Sequence, residues 1–170
     1  MAISVVKHTG PWDESSRQNR ALRFFESYVN AVTSDFTLPF PPTRYFGPSC
    51  EFHDTTFVTY KGPENIKTWV QGLFGQFEKL EFDNLAVYAL DESEAQPGKA
   101  LRYTVFGDFL GKHWFKGDPE PILAPRALRV TIIESETEEG FDGLQIDEFR
   151  LYWNTALLKD ERMRRLQAKV

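Results

Sequence analysis

Apolar residues recur at helical spacing in RQNRALRFFESYVNAVTS, where Leu22, Phe25, Val29 and Val32 form one face with Phe24 and Tyr28 beside it. Asp13, Ser15 and Ser16 are cap-forming types just ahead of that run, and the helix is expected to end near Ser34 and Asp35. Residues 1 to 15 read as an arm. FTLPFPPTRYFGPS carries Pro39, Pro41, Pro42, Gly47 and Pro48, which break both helix and strand, so a structured loop is expected. CEFHDTTF alternates and is read as a short strand. KGPENI turns into a second helix with Pro63 in its first turn. NIKTWVQGLFGQFEKL then places Ile66, Trp69, Val70, Leu73, Phe74 and Phe77 on one broad face, weakened at Gly72 and Gly75.

After Leu80 the period changes to two. EFDNLAVYALDE, ALRYTVFGDFLG, RALRVTIIESET and GLQIDEFRLYWN read as strands, and DESEAQPGK and TEEGFDG as hairpin loops. HWFKGDPEPILAP reads as a longer loop at a rim or lid. TALLKDERMRRLQAKV reads as a basic amphipathic helix. Helices first and an antiparallel meander last predict an α+β fold, a curved antiparallel sheet closing over the N-terminal helices as a cone. The organisation expected is an arm over 1–15, one domain over 16–158 and a helical tail over 159–170.

Composition narrows the function. The chain has 170 residues, a formal net charge of −5 and 15% aromatic residues, made up of 15 Phe, 6 Tyr and 4 Trp. The acidic balance argues against nucleic acid and anionic membranes as partners, because phosphate binding needs clustered Lys and Arg. Cys50 is the single cysteine, which excludes an internal disulfide and a cysteine-based zinc site. The N-terminal apolar run is too short for a signal peptide and no stretch approaches a membrane span, so a cytoplasmic protein is expected. The aromatic excess predicts a ring-filled core or a ring-lined cavity.

No phosphate loop, HExxH, GxSxG or CxxC is present, and His8, His53 and His113 lie far apart. The expectation is therefore no metal and no cofactor. What remains is acid–base chemistry by carboxylates and phenols, whose pKa values an apolar pocket shifts toward neutrality. In FHDTT only one of His53 and Asp54 enters a cavity if the strand alternates; alternatively Asp54 starts the turn before Lys61 and Gly62. Tyr28 is a candidate on the first helix, and Asp108, set between large apolar residues, is a second acid. Phe149, Leu151 and Trp153 share one face of the last strand. Phe24 and Phe74, on the two helices, are candidate lining rings. Arg126 precedes ALRVTII and Arg129 lies within it, and Arg129 is the candidate for holding a substrate carbonyl or carboxylate.

The run RALRFFESYVNAVTSDF, then FGPSCEFHD, the Gly62 turn, KGPENIKTWVQGLF and finally GLQIDEFRLYWNTALL resembles the NTF2-like superfamily, which includes SnoaL-like polyketide cyclases and ketosteroid isomerases. The resemblance spans roughly residues 17–158. It implies that Asp54 falls where the isomerases place their proton-shuttling carboxylate and Tyr28 where they place an oxyanion-binding tyrosine. It also implies pocket positions for Trp69, Tyr103, Val130, Phe149, Leu151 and Trp153, and the loop FTLPFPPTRYFGPS, longer than the usual family connection, is expected to shape a pocket for a bulky substrate with Arg44 and Tyr45 at its rim. Asn154 stands where Asp is usual. The isomerases' second oxyanion donor falls near Ile132, so the chain lacks that acid, which argues against steroid isomerisation itself.

The expected function is a cofactor-independent isomerase, cyclase or lyase acting on an apolar, oxygenated small molecule, of the kind that tailors secondary metabolites such as polyketides, terpenoids or alkaloids. Asp54 moves the proton, Tyr28 steadies the oxyanion, and His53 assists if a bulge turns it inward. A homodimer through the outer sheet face is expected. The alternatives are a non-catalytic NTF2-like module that binds a ligand or protein, and a small hydrolase in which Asp54 and Asp108 converge on a water.

Overall fold

The computed structural model describes residues 3–93 and 100–168. The arm is not free: Ser4–His8 forms β1 and pairs antiparallel with the edge of the sheet. A five-residue helical segment precedes the expected helix, with a break at Asn19 between them. α1 spans Glu14–Gln18, where the Asp13 side chain accepts from the Ser16 N–H in a capping box. α2 spans Arg20–Ser34, where Asn19 in extended geometry accepts from the Leu22 N–H and restarts the helix. The predicted face of α2 is the one that is buried: Leu22, Phe24, Phe25, Tyr28 and Val32 lie in the core. Each large side chain there contributes roughly 1.5–3 kcal/mol of burial, so the helix is held by its face rather than by its propensity.

Phe46–His53 forms β2 and Thr59–Lys61 forms β3; α3 runs over Pro63–Phe74. α3 stops short of the expected Leu80 because Gly75 takes its last turn and Phe77 already begins a strand. β4 is Phe77–Asp91, β5 Arg102–Phe115, β6 Ile122–Glu134 and β7 Leu144–Trp153. The expected rim loop HWFKGDPEPILAP is mostly strand, with His113 in β5 opposite Ile122 in β6, so only a tight hairpin remains. The DESEAQPGK loop lies largely outside the described residues. TEEGFDG turns β6 into β7. α4, Thr155–Gln167, starts at the Asn154 cap, where the run TALLKDERMRRLQAKV begins. It docks through buried Leu158, through Arg162 over the Phe115 ring at 4.4 Å, and through Arg165 on the Glu120 and Pro121 carbonyls.

The sheet order is β1-β4-β5-β6-β7-β2-β3. Every neighbouring pair is antiparallel except β2 and β7, which run parallel, so the sheet is mixed rather than purely antiparallel. Register shifts in the β2–β7, β4–β5 and β6–β7 pairs bend long strands that would otherwise be flat. Two glycines let rings lie along the inner face of β5. A Cβ at Gly107 would stand 2.1 Å from the Phe109 ring, and one at Gly111 would stand 2.5 Å from the His113 imidazole. The α+β cone that results has helices α2 and α3 over one face of the sheet, with the ring-rich core between them. Among the described residues no helix is long and apolar enough to cross a membrane.

Candidate functional site

Alternation decides what enters the cone. α2 contributes Phe25, Tyr28, Val29 and Val32; β2 contributes Phe52; α3 contributes Trp69, Val70 and Phe74. The long strands add Phe82, Phe109, Arg126, Leu128, Phe149 and Leu151. Phe52 stacks on Phe149 at 4.7 Å and meets Trp69 at 4.4 Å, and Tyr28 leans on Phe149 at 5.8 Å. The space these side chains leave is small, about 50 Å³. It holds the centres of roughly three to five water-sized groups, which suits a small molecule or one ring of a larger one.

Arg126 brings the cavity its charge. It lies in β6 with Phe109 and Trp153 as cross-strand neighbours, and 4% of its surface is exposed. Its guanidinium carbon sits 3.8 Å from the Trp153 ring centre, 5.0 Å from that of Phe82 and 5.9 Å from that of Phe74, a cage of aromatic faces. Nη2 donates to Nε2 of His113 at 2.6 Å, and His113 Nδ1 donates to the Ile122 carbonyl at 3.1 Å, so the imidazole in this arrangement is the neutral Nδ1–H tautomer. Burial first, and the neighbouring guanidinium second, pull His113 down to about 3. Burial also lowers Arg126 to about 9, which leaves it charged at neutral pH. Among the described residues no carboxylate pairs with Arg126, and its Nε has no hydrogen-bond partner.

Tyr28 faces the same cavity. Burial pushes its phenol well above the ordinary range, and the Arg126 charge pulls in the opposite direction. Among the described residues its hydroxyl has no hydrogen-bond partner. Tyr28 and Arg126 therefore line one apolar space, with the Trp69 indole beside them, and the Arg126 charge acts on the Tyr28 phenol.

The structure brings together Tyr28, Trp69, Phe74, Phe149 and Leu151, and sets Trp153 behind Arg126. It does not bring in the others. Asp54 lies just past the end of β2, where its carboxylate accepts from the Thr55 N–H at 2.7 Å and the Thr56 hydroxyl at 3.1 Å. It caps the 55–58 turn and does not reach the cavity. His53 lies on the outer face, 3.1 Å from the Thr59 hydroxyl and 3.4 Å from the Glu148 carboxylate. Asp108 is exposed on the outer face of β5, because Gly107 and Phe109 take the inward positions. The water-activating pair of Asp54 and Asp108 therefore does not converge on the cavity. Arg129 is odd to Arg126 in strand parity, points outward and pairs with Glu148. Phe24 packs against Tyr45 and Phe141 away from the cavity. Arg44 is exposed over the Tyr45 and Phe141 rings, and Tyr103 is buried beyond the cavity near Arg20.

Arg126, Phe82 and Phe109 line the cavity, and His113 backs Arg126; none of them was selected from the sequence. The readable signal was Gly107-x-Phe109-x-Gly111-x-His113, a glycine before each inward ring. Among the described residues no group of three His, Cys, Asp or Glu side chains gathers as a metal site.

No protein-family model and no curated protein matches the chain in sequence. Solved structures match it in shape. The Kfla4162 protein from Kribbella flavida superposes with a TM-score of 0.59 at 14% identity, covering 85% of this chain and 97% of that one. Hexachlorocyclohexane dehydrochlorinase LinA-type3 from Novosphingobium barchaimii gives 0.56 at 14% identity, covering 84% and 91%. Nuclear transport factor 2 from Cryptosporidium parvum gives 0.55 at 15% identity, covering 85% and 98%. An enzyme and a transport factor thus share the architecture, so the likeness speaks for fold and leaves chemistry to the site. With its helices packed over one mixed, bulged sheet and these neighbours in shape, the chain has the NTF2-like fold.

Proposed function

We propose that the chain is a cofactor-independent enzyme of isomerase, cyclase or lyase type, acting on an apolar oxygenated small molecule in the ring-lined cavity, as a tailoring step of secondary metabolism. The observation that supports this reading is that Tyr28 and Arg126 line one apolar space to which, among the described residues, no carboxylate contributes. Such donors favour a state in which negative charge develops on a carbonyl oxygen, and a low-dielectric wall makes them stronger. With Asp54 outside, proton removal falls to water at the cavity mouth, which suits a substrate with an acidic α-proton such as a 1,3-dicarbonyl. The C–H pair becomes the enolate, Tyr28 donates to its oxygen, and the enolate carbon attacks a second carbonyl or is reprotonated.

The test is α-proton exchange of benzoylacetone in deuterated water, followed by NMR with and without the chain. Acceleration over buffer is expected, with a loss of about 10²–10³-fold in Tyr28→Phe. A rate equal to buffer sinks the enzymatic reading. The alternative, a non-catalytic ligand-binding module, is favoured by one observation, the lack of a carboxylate among the described cavity residues. It predicts saturable binding without exchange.

A further inference from the structure

Among the described residues, Arg126 presents an unpaired buried charge. A guanidinium carries five N–H donors, and among those residues the acceptor it meets is the Nε2 of His113. Its Nε is buried with no partner among them. The Trp153, Phe82 and Phe74 faces stabilise the cation but accept no conventional hydrogen bond. Taking a charge from water is costly unless an opposite charge compensates it, and a protein that keeps such a group commonly reserves it for a ligand. The neutral His113 orients the fork without neutralising it, since its Nδ1–H is committed to the Ile122 carbonyl.

We infer that Arg126 is the docking point for the carboxylate of a small apolar acid, held on the free guanidinium donors while the rest of the molecule lies among the rings of the cavity. The planar fork matches a carboxylate in two parallel hydrogen bonds, which neither a neutral amide nor an alcohol reproduces. Tyr28, on α2 across the cavity, is then free to meet a carbonyl oxygen of the same molecule. The ligand class is an aryl or alkyl carboxylate, and a keto acid where the cavity is also reactive. This rests on the reading that the ring-lined cavity is the ligand site.

The test is calorimetric titration of the full chain with benzoate and with benzamide, which share shape and differ in charge. The expected result is saturable benzoate binding favoured over benzamide by about 10–100-fold, the range of a charge-assisted hydrogen-bond pair. Arg126→Met should bring the two probes within about threefold of each other, and Arg126→Lys should keep part of the preference. The wild-type preference is decisive even if a variant fails to fold. Equal affinities, or no binding of either probe, overturn the inference. Exchange of benzoylacetone with no benzoate preference removes the carboxylate site and leaves the enzymatic reading standing. A preference without exchange keeps the site and points to a binding module.

Discussion

Nη2 of Arg126 donates to Nε2 of His113 at 2.6 Å, and that single contact fixes a neutral imidazole behind a charged guanidinium. The arrangement makes stability depend on pH. An unfolded His113 takes up a proton near its ordinary 6.5, whereas the folded one resists until about 3. The unfolded state thus binds more protons between those values, and stability is lost as pH falls from about 6.5 toward 3, with a slope near 1.4 kcal/mol per pH unit from this group. Urea denaturation at pH 7, 5.5 and 4.5 should show that loss in the wild type and a shallower one in His113→Gln. Identical slopes would remove His113 as the cause.

Gly111 makes room for that imidazole. Gly111→Ala is expected to displace His113 and lower stability by about 1–3 kcal/mol, because the added Cβ would stand 2.5 Å from the ring. Thermal unfolding measures it, and an unchanged midpoint would contradict the close packing.

Tyr28→Phe should separate stability from function. Among the described residues the hydroxyl has no hydrogen-bond partner, so the unfolding free energy should change by less than about 1 kcal/mol while exchange activity falls. A variant that unfolds instead would place the hydroxyl in the core's own bonding.

Asp54→Asn is expected to leave activity within about threefold of wild type, because the carboxylate serves the 55–58 turn. A fall of about 10²-fold or more would return Asp54 to the role of general base.

The outer face of the sheet exposes Tyr88, Phe106 and Tyr152 around a shallow groove. A second copy of the chain is expected to cover them. Light scattering should give twice the 19.7 kDa of one chain, and Phe106→Glu should return it to one. A wild-type mass of one chain at micromolar concentration contradicts the dimer.

What could be read in the sequence followed local periodicity. The face of α2 and the inward side of β7 were legible because Phe25, Tyr28, Phe149 and Leu151 repeat at the period of their own element. Asp54 was misplaced because β2 ends at His53, and past that point alternation no longer governs direction. Arg129 was chosen over Arg126 although three positions in a strand put them on opposite faces. Only the start of β6 at Ile122 fixes which is inward, and that start lay inside a segment rich in proline and glycine. The arm Ser4–His8 becomes strand only through the edge of β4, a partner about eighty residues away that no short window contains.

The parallel pairing of β2 with β7 governs when the cavity exists at all. Phe52 meets its register partner Phe149 roughly a hundred residues later, so one wall of the cavity waits for the last strand of the chain. During synthesis the apolar faces of α2, β2 and α3 emerge early, and the wall that Phe149 gives Phe52 and Tyr28 is added only when β7 clears the ribosome. A stall before Trp153, or a truncation there, would therefore leave Phe52 and Tyr28 without the Phe149 wall and release an aggregation-prone chain rather than a smaller folded one.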